Sequence, residues 1–263
     1  MNANICKKPL ITIITAVLNN RKNFEKTIQS VIEQNYPNVE YIIIDGGSTD
    51  GTIDIIKKYE HFVSYWVSAP DKGISDAFNK GIHIANGDYI NFQGAGDFLF
   101  NNEVISKMMC NIDRNSDWLV CGKIHRITES GKVLWTTSSK FYKTSLLFKM
   151  SLPHQALFTH RKYFDTYGKF DTHLKFSMDY DLILRSYNTF PGVKMKNQIV
   201  SCWKEGGIGS NRFLEIFKEY NYIKKKNKVA SYFTLYLIHQ WILLKYRLSQ
   251  KHVLLRNKGN EDV

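Results

Sequence analysis

Proline and glycine are sparse, five and sixteen in 263 residues, which excludes a collagen repeat or a low-complexity linker chain. No run reaches the ~20 apolar residues that cross a bilayer; the longest candidate, Val229–Leu244, is interrupted by His239 and Gln240. Cys6, Cys110, Cys121 and Cys202 show neither CxxC spacing nor the density of a disulfide scaffold. That excludes a zinc ribbon and points to reduced thiols in a cytoplasmic setting. Acids are the minority charge, 24 against 36 Lys and Arg, for a formal charge of +12. What is present is ordinary globular material, 43% hydrophobic and 14% aromatic, which excludes disorder and suits one large domain or a domain with an appendage. Lys7-Lys8 before Ile11–Leu18 imitates a secretory leader, but the run is β-branched and passes into Asn19-Asn20-Arg21 without a small-residue cleavage site.

The excess positive charge is concentrated late. Residues 211–263 carry eleven Lys/Arg against four acids. Phe233, Tyr236, Leu237, Trp241, Leu244 and Leu248 recur there at helical spacing, so the segment reads as a basic amphipathic helical tail. It fits either an anionic membrane surface or a solvated helix packed on its own domain.

From the start, β-branched runs alternate with helical periodicity. Ile11–Leu18, Tyr41–Ile44, Phe62–Val67 and Tyr89–Phe92 are predicted strands. Between them Phe24, Thr27, Ile28, Val31 and Ile32 mark one helix face, Ser48-Thr49-Asp50 supplies cap chemistry for a helix over Ile53–Tyr59, and Ala77, Phe78, Gly81 and Ile82 face inward from Ile74–Ala85. Single helices between strands imply a parallel sheet with right-handed crossovers and a ligand site at the carboxyl ends of the strands. Beyond it, Trp118–Ile127 and Lys132–Trp135 flank Glu129-Ser130-Gly131 as a hairpin, and helical patterns return at Arg161–Tyr167 and Tyr180–Tyr187. The expected division is a domain at 1–210 and a tail at 211–263.

Four polar loops fall at the predicted strand ends: Asn19-Asn20-Arg21, Asp45-Gly46-Gly47-Ser48-Thr49-Asp50-Gly51, Asp71-Lys72-Gly73, and Gly94-Ala95-Gly96-Asp97. Their glycines allow close backbone approach to a ligand, and their acids accept hydrogen bonds from base or ribose groups or hold a hard cation. Any one loop is also an ordinary turn; four in order on one sheet edge are much stronger evidence of a ligand site.

With the further segments Ser30-Val31-Ile32-Glu33-Gln34-Asn35-Tyr36-Pro37, Asp76-Ala77-Phe78-Asn79-Lys80-Gly81, His154-Gln155 and Met178-Asp179-Tyr180-Asp181-Leu182, residues 9–210 resemble the GT-A type nucleotide-sugar glycosyltransferases of family 2. The resemblance implies an α/β fold of GT-A (Rossmann-like) type, with a mostly parallel central sheet flanked by helices and a C-terminal helical extension. It assigns Thr15, Asn20, Asp45 and Asp71 to the nucleotide, Asp45 on the pyrimidine base and Asp71-Lys72 near base and ribose. Asp76 and Asn79 would face the nucleotide-sugar, or else cap and solvate their helix, and Gly94 belongs to the loop that carries Asp97. Asp97 is the implied ligand of Mn2+ or Mg2+; Gly96 stands where the family usually has a second acid. Asp179 is the implied base, with Asp181 the alternative base or a partner of Arg185 four residues on. His154, Gln155 and Trp203 would serve the acceptor side, and Gly206-Gly207 a closing loop or a turn.

The implied activity is an inverting, metal-dependent transfer of sugar from a nucleotide-diphosphate donor, a UDP-sugar, to a hydroxyl of a glycan acceptor. The basic tail adds the expectation of a lipid-linked acceptor at the inner face of a bacterial membrane, in O-antigen or capsule assembly, with no nucleic acid partner. Two other readings stand beside it. A nucleotidyltransferase would need a Gly-rich basic phosphate loop where Ala16-Val17-Leu18-Asn19 lies, and a non-enzymatic anionic-surface module would bind by charge alone.

Overall fold

The computed structural model describes residues 8–206 and 212–258, with side chains as far as Leu248. Strands β1 (Ile11–Val17), β2 (Val39–Asp45), β3 (Tyr65–Ser68) and β4 (Tyr89–Gly94) alternate with helices α1 (Arg21–Ile32), α2 (Thr52–Lys58) and α3 (Ile74–Ile84). Then come β5 (Phe98–Leu99), α4 (Val104–Met109), β6 (Leu119–Ile127), β7 (Val133–Thr136), β8 (Leu157–His160), α5 (Arg161–Tyr167), α6 (Met178–Arg185), β9 (Lys194–Lys204), α7 (Phe213–Lys226) and α8 (Tyr232–Lys258).

β1 is buried along its length because both faces are covered. Ile14 and Ala16 enter one core with Ile42, Ile44, Phe78 and Phe92. Ile11, Ile13 and Val17 enter the other with Phe24, Ile28, Tyr41 and Ile43. α1 buries Phe24, Thr27, Ile28 and Val31, as its spacing predicts. Each such aliphatic side chain contributes roughly 1.5–3 kcal/mol by leaving water. The third strand is shorter than the sequence suggests: Glu60–Phe62 forms a 3-10 turn, and β3 sits at the sheet edge with Tyr65 exposed. Gly51, at φ +91°, occupies the cap position of α2, and Asp50 Oδ1 accepts from the Thr52 N–H at 3.0 Å.

The sheet order is β3-β2-β1-β4-β8-β6-β9-β5, with β7 hairpinned onto β6. β1, β2, β3 and β4 pair in parallel; beyond β4 the sheet is mixed, β6–β9 being parallel and the pairs β4–β8, β6–β8, β6–β7 and β5–β9 antiparallel. The chain leaves β1 toward β3 and returns on the other side of β1 as β4, so the β1/β4 carboxyl ends form the switch point where α/β sheets bind ligands.

The expected boundary at 210/211 does not separate a free tail. Ile223, Val229 and Leu235 share one core with Leu182 and Tyr187, and Tyr220 lies against Tyr180 with ring centroids 4.1 Å apart. Glu219 accepts from the N–H groups of Lys175 and Phe176 at 2.8 and 3.1 Å, and Lys226 pairs with Asp171 at 2.8 Å. α7 is thus stitched to α6. On α8, Leu235 and Ile238 are buried, while the stripe Phe233, Tyr236, Leu237, Trp241, Leu244 and Leu248 is exposed. Among the described residues no helix is long and apolar enough to cross a membrane. Cys110, Cys121 and Cys202 are free, and Cys6 lies outside the described residues.

Candidate active site

The loops after β1, β2 and β4 knit together at the switch point. Asn20 Nδ2 donates to the Ala95 carbonyl at 2.7 Å, and the Asn20 main-chain N–H donates to Thr52 Oγ1 at 3.1 Å. Asn20 therefore holds the β4 loop against α1. Thr15 is fully buried and its hydroxyl pairs with that of Tyr41 at 3.2 Å, so its side chain faces the core rather than a nucleotide.

Asp45 also departs from its expected place on a base. It has no exposed surface. Its Oδ2 accepts from the N–H groups of Gly47 and Ser48 at 3.1 and 2.9 Å and from the Ser68 hydroxyl at 2.6 Å, and its Oδ1 accepts from the Ser48 hydroxyl. The carboxylate is the clasp of its own loop. Asp71 offers the open oxygen instead. Its Oδ1 accepts from the Gly73 N–H at 2.8 Å, and its Oδ2 has no hydrogen bond among the described residues. A Cβ built on Gly46 would lie 2.7 Å from that Oδ2, with Leu18 Cδ1 at 3.4 Å, so the missing side chain at 46 is what lets Asp71 stand there.

Lys72 is exposed, and its N–H donates to Asp76 Oδ2 at 3.1 Å. This bond, with Lys80 at 3.1 Å, holds the Asp76 carboxyl below its ordinary range. Asn79 clamps Phe170, donating to its carbonyl and accepting from its N–H, both at 2.9 Å. The Asn79 amide is thus spent within the protein, while Asp76 spends its Oδ2 on Lys72 and Lys80. Asp76 caps its turn, and Asn79 fixes a wall of the pocket described below.

Asp97 is buried. Gln155 Nε2 donates to its Oδ2 at 3.1 Å, and Thr27 Oγ1 donates to its carbonyl at 2.7 Å. A Cβ on Gly94 would lie 3.1 Å from Asp97 Oδ2, so this glycine leaves room for the carboxylate. Burial pushes the acid up to about 7, against the opposing hydrogen bonds from Gln155 and from the main chain of Lys204. Among the described residues no cluster of three or more His, Cys, Asp or Glu could hold a metal alone. A single carboxylate suits Mg2+ or Mn2+ when ligand phosphates and waters complete the shell, so the residues present fit that group.

His154 and Asp179 line one narrow pocket with Phe92, Met150, Thr159 and Phe170. The His154 ring stacks on Phe92 at 5.2 Å and also touches Phe78 and Phe170. Its Nε2 is buried without a partner, and burial lowers its pKa to about 4. It is a neutral imidazole with an unused polar atom. Asp179, at the start of α6, is partly exposed as a residue, but its carboxylate sits inside the pocket, and desolvation raises it to about 6. Asp181 is fully buried, paired with Arg185 and with Lys226 at 3.2 Å, and accepts from Asn227 at 3.1 Å. It is the ion-pair partner rather than the alternative base.

Since Gln155 bonds Asp97 and its neighbour His154 lines the Asp179 pocket, two acids 82 positions apart in the chain flank one dipeptide. Trp203, on β9, packs beside Arg126 and Trp135. Gly206 turns at φ +92°; Gly207 lies outside the described residues. Sequence reasoning missed the Gly46–Asp71 contact, the Asn79 clamp and the Arg126–Trp135 pair, all of which depend on tertiary placement.

A profile of the family described as glycosyl transferase family 2 matches residues 12–174. An uncharacterized glycosyltransferase of Mycobacterium tuberculosis is 35% identical over 100 residues, covering 38% of each chain. TuaG of Bacillus subtilis, named for teichuronic acid biosynthesis, is 38% identical over 93 residues, covering 34% of this chain and 37% of TuaG. The matched stretch thus spans well under half the length of these curated relatives. Staphylococcus aureus TarS in complex with UDP-GlcNAc has the same fold, with a TM-score of 0.65 at 17% identity over 81% of this chain and 66% of that one. A Pyrobaculum calidifontis mannosyltransferase in complex with GDP-Man and Mn2+ scores 0.64 at 14% identity, over 86% and 66%.

Proposed function

The chain belongs to glycosyl transferase family 2, and on that premise we propose that it is an inverting enzyme moving a sugar from a UDP-sugar to a hydroxyl of a lipid-linked glycan. The observation that carries the reading is the His154-Gln155 dipeptide, which joins the Asp97 carboxylate to the pocket of Asp179. Asp71 and Leu18 at the β1 and β3 ends receive the base. Asp179 takes the proton of the acceptor hydroxyl as its oxygen bonds to the anomeric carbon. The bond from that carbon to the diphosphate oxygen breaks from the opposite face, the electron pair leaves on the diphosphate, and the configuration inverts. A carboxyl raised to about 6 is tuned toward this work near neutral pH. Asp97 would hold Mg2+ or Mn2+, which supplies positive charge to the departing diphosphate.

The uridine donor is supported by the TarS complex with UDP-GlcNAc and the metal by the Pyrobaculum complex with Mn2+. The setting in bacterial surface polysaccharide synthesis, of O-antigen or capsule kind, is supported by the name of TuaG. Peripheral attachment to the inner membrane face is supported by the exposed stripe of α8 and the lysines around it. A thermal-shift screen of nucleotide-sugars with Mn2+ tests the donor, since a ligand of the folded state raises its melting point by mass action. Stabilisation by UDP-sugars with release of UDP supports the reading, and indifference to every nucleotide-sugar overturns it. Cosedimentation with anionic and neutral vesicles tests attachment. Retention on anionic vesicles that is lost in Trp241→Glu is the expected result.

A further inference from the structure

β7, β6 and β9 lie side by side, and one row across them reads Trp135, Arg126, Trp203. The Arg126 guanidinium sits 4.8 Å over the Trp203 ring, and the two indoles meet edge to face at 6.5 Å. All four residues of β7 are exposed, Trp135 by 43%. Arg126 Nε is buried without a hydrogen-bond partner, and Arg126 forms no ion pair among the described residues. The acid of the adjoining turn, Glu129, is taken by Lys22 at 2.7 Å and Lys204 at 3.5 Å. The row also adjoins the Asp97 loop: Cys202, next before Trp203, pairs with Phe98, next after Asp97.

An exposed indole offers a flat apolar face to the C–H face of a pyranose, and a guanidinium offers a planar fork that matches a carboxylate. A desolvated Arg N–H with no acceptor of its own leaves that fork one bond short. We propose that the Trp135–Arg126–Trp203 row is an acceptor subsite for a uronic acid residue, its ring stacked on tryptophan and its carboxylate on Arg126. A carboxylate attached directly to the ring reaches a cation beside the stacking face. A phosphate on an exocyclic oxygen stands further off, which favours the uronate. This inference rests on the glycosyltransferase reading.

The test is a tryptophan-fluorescence titration of the full chain with methyl β-glucuronide, methyl β-glucoside and glucose 6-phosphate, and with UDP plus Mn2+ in parallel. The glucuronide is expected to bind about tenfold or more tighter than the other two sugars. Trp135→Ala removes most of that binding, and Arg126→Lys, which keeps charge but not the fork, brings glucuronide and glucoside together. Melting curves establish that each variant is folded; Trp135 lies on an exposed edge strand, so its variant decides the matter if Arg126→Lys fails to fold. Equal binding of glucuronide and glucoside by the unaltered chain, tighter binding of the phosphate, absence of sugar binding, or a preference that survives in Trp135→Ala overturns the proposal. UDP bound while the sugars are ignored sinks this subsite alone; UDP ignored as well sinks the proposed function.

Discussion

The loops that follow β1 and β2 spend polar groups on the protein itself, whereas the second half of the chain leaves buried polar atoms idle. Ser48 and Ser68 both donate to the Asp45 carboxylate, and Asn20 bridges to Ala95. By contrast, the three buried side-chain atoms without a partner among the described residues, Arg126 Nε, His154 Nε2 and Ser177 Oγ, all lie beyond β5. A buried polar group left unpaired costs about 1–3 kcal/mol. On the function proposed above, the first region is the nucleotide side, preformed by its own bonding, and the second is the acceptor side, whose idle groups a ligand would complete.

The sharpest way to break that contrast is Asp179→Asn. Steady-state UDP release should fall about 10²–10⁴-fold, the usual range for a lost general base. The same substitution should stabilise the fold. Because burial raises the Asp179 carboxyl to about 6, the folded chain holds this proton more tightly than the unfolded one, and the resulting stability is lost as pH climbs from about 4 through about 6. Asn removes that loss. A gain of about 1–2 kcal/mol is expected at pH 8, after discounting for the part-exposed residue, and almost none at pH 4. Lower turnover with no change in melting at pH 8 would mean that burial does not raise the acid above its ordinary range.

Asp97→Ala tests the preformed side. Turnover should drop about 10²–10³-fold, and added Mn2+ should no longer tighten UDP binding in calorimetry. Asp45→Ala should act differently, costing about 2–4 kcal/mol in urea unfolding because the Gly47 and Ser48 N–H groups and the Ser68 hydroxyl lose their acceptor. If it instead spared stability and removed UDP binding alone, the clasp would be a base contact after all. Gly46→Ala makes the finest cut. Its new methyl collides with Asp71 Oδ2, so UDP affinity should weaken about tenfold with little change in melting.

The fourfold alternation of strand and helix, the inward residues of α1 and α3, and the hairpin at Glu129–Gly131 were all legible in the sequence, because periodicity and glycine punctuation are local. Asp97 and Gln155 could be assigned but not joined. The loop bonding of Asp45 was not legible, because a carboxylate in a glycine-rich loop has one spelling whether it faces a ligand or its own backbone. On α8 the apolar spacing was plain, but the sequence could not say that Leu235 and Ile238 take the buried side while Phe233, Tyr236 and Trp241 face out. The Trp135–Arg126–Trp203 row was invisible, since strand register brings together residues up to 77 positions apart.

Neighbouring Cα atoms across a trans peptide stay about 3.8 Å apart whatever the rest of a molecule does, and no cis bond interrupts the described chain. His154 and Gln155 therefore work as a rivet. Any shift of this dipeptide moves the Gln155 hydrogen bond to Asp97 and the His154 wall of the Asp179 pocket together, so on the proposed function it sets the span between the two acids.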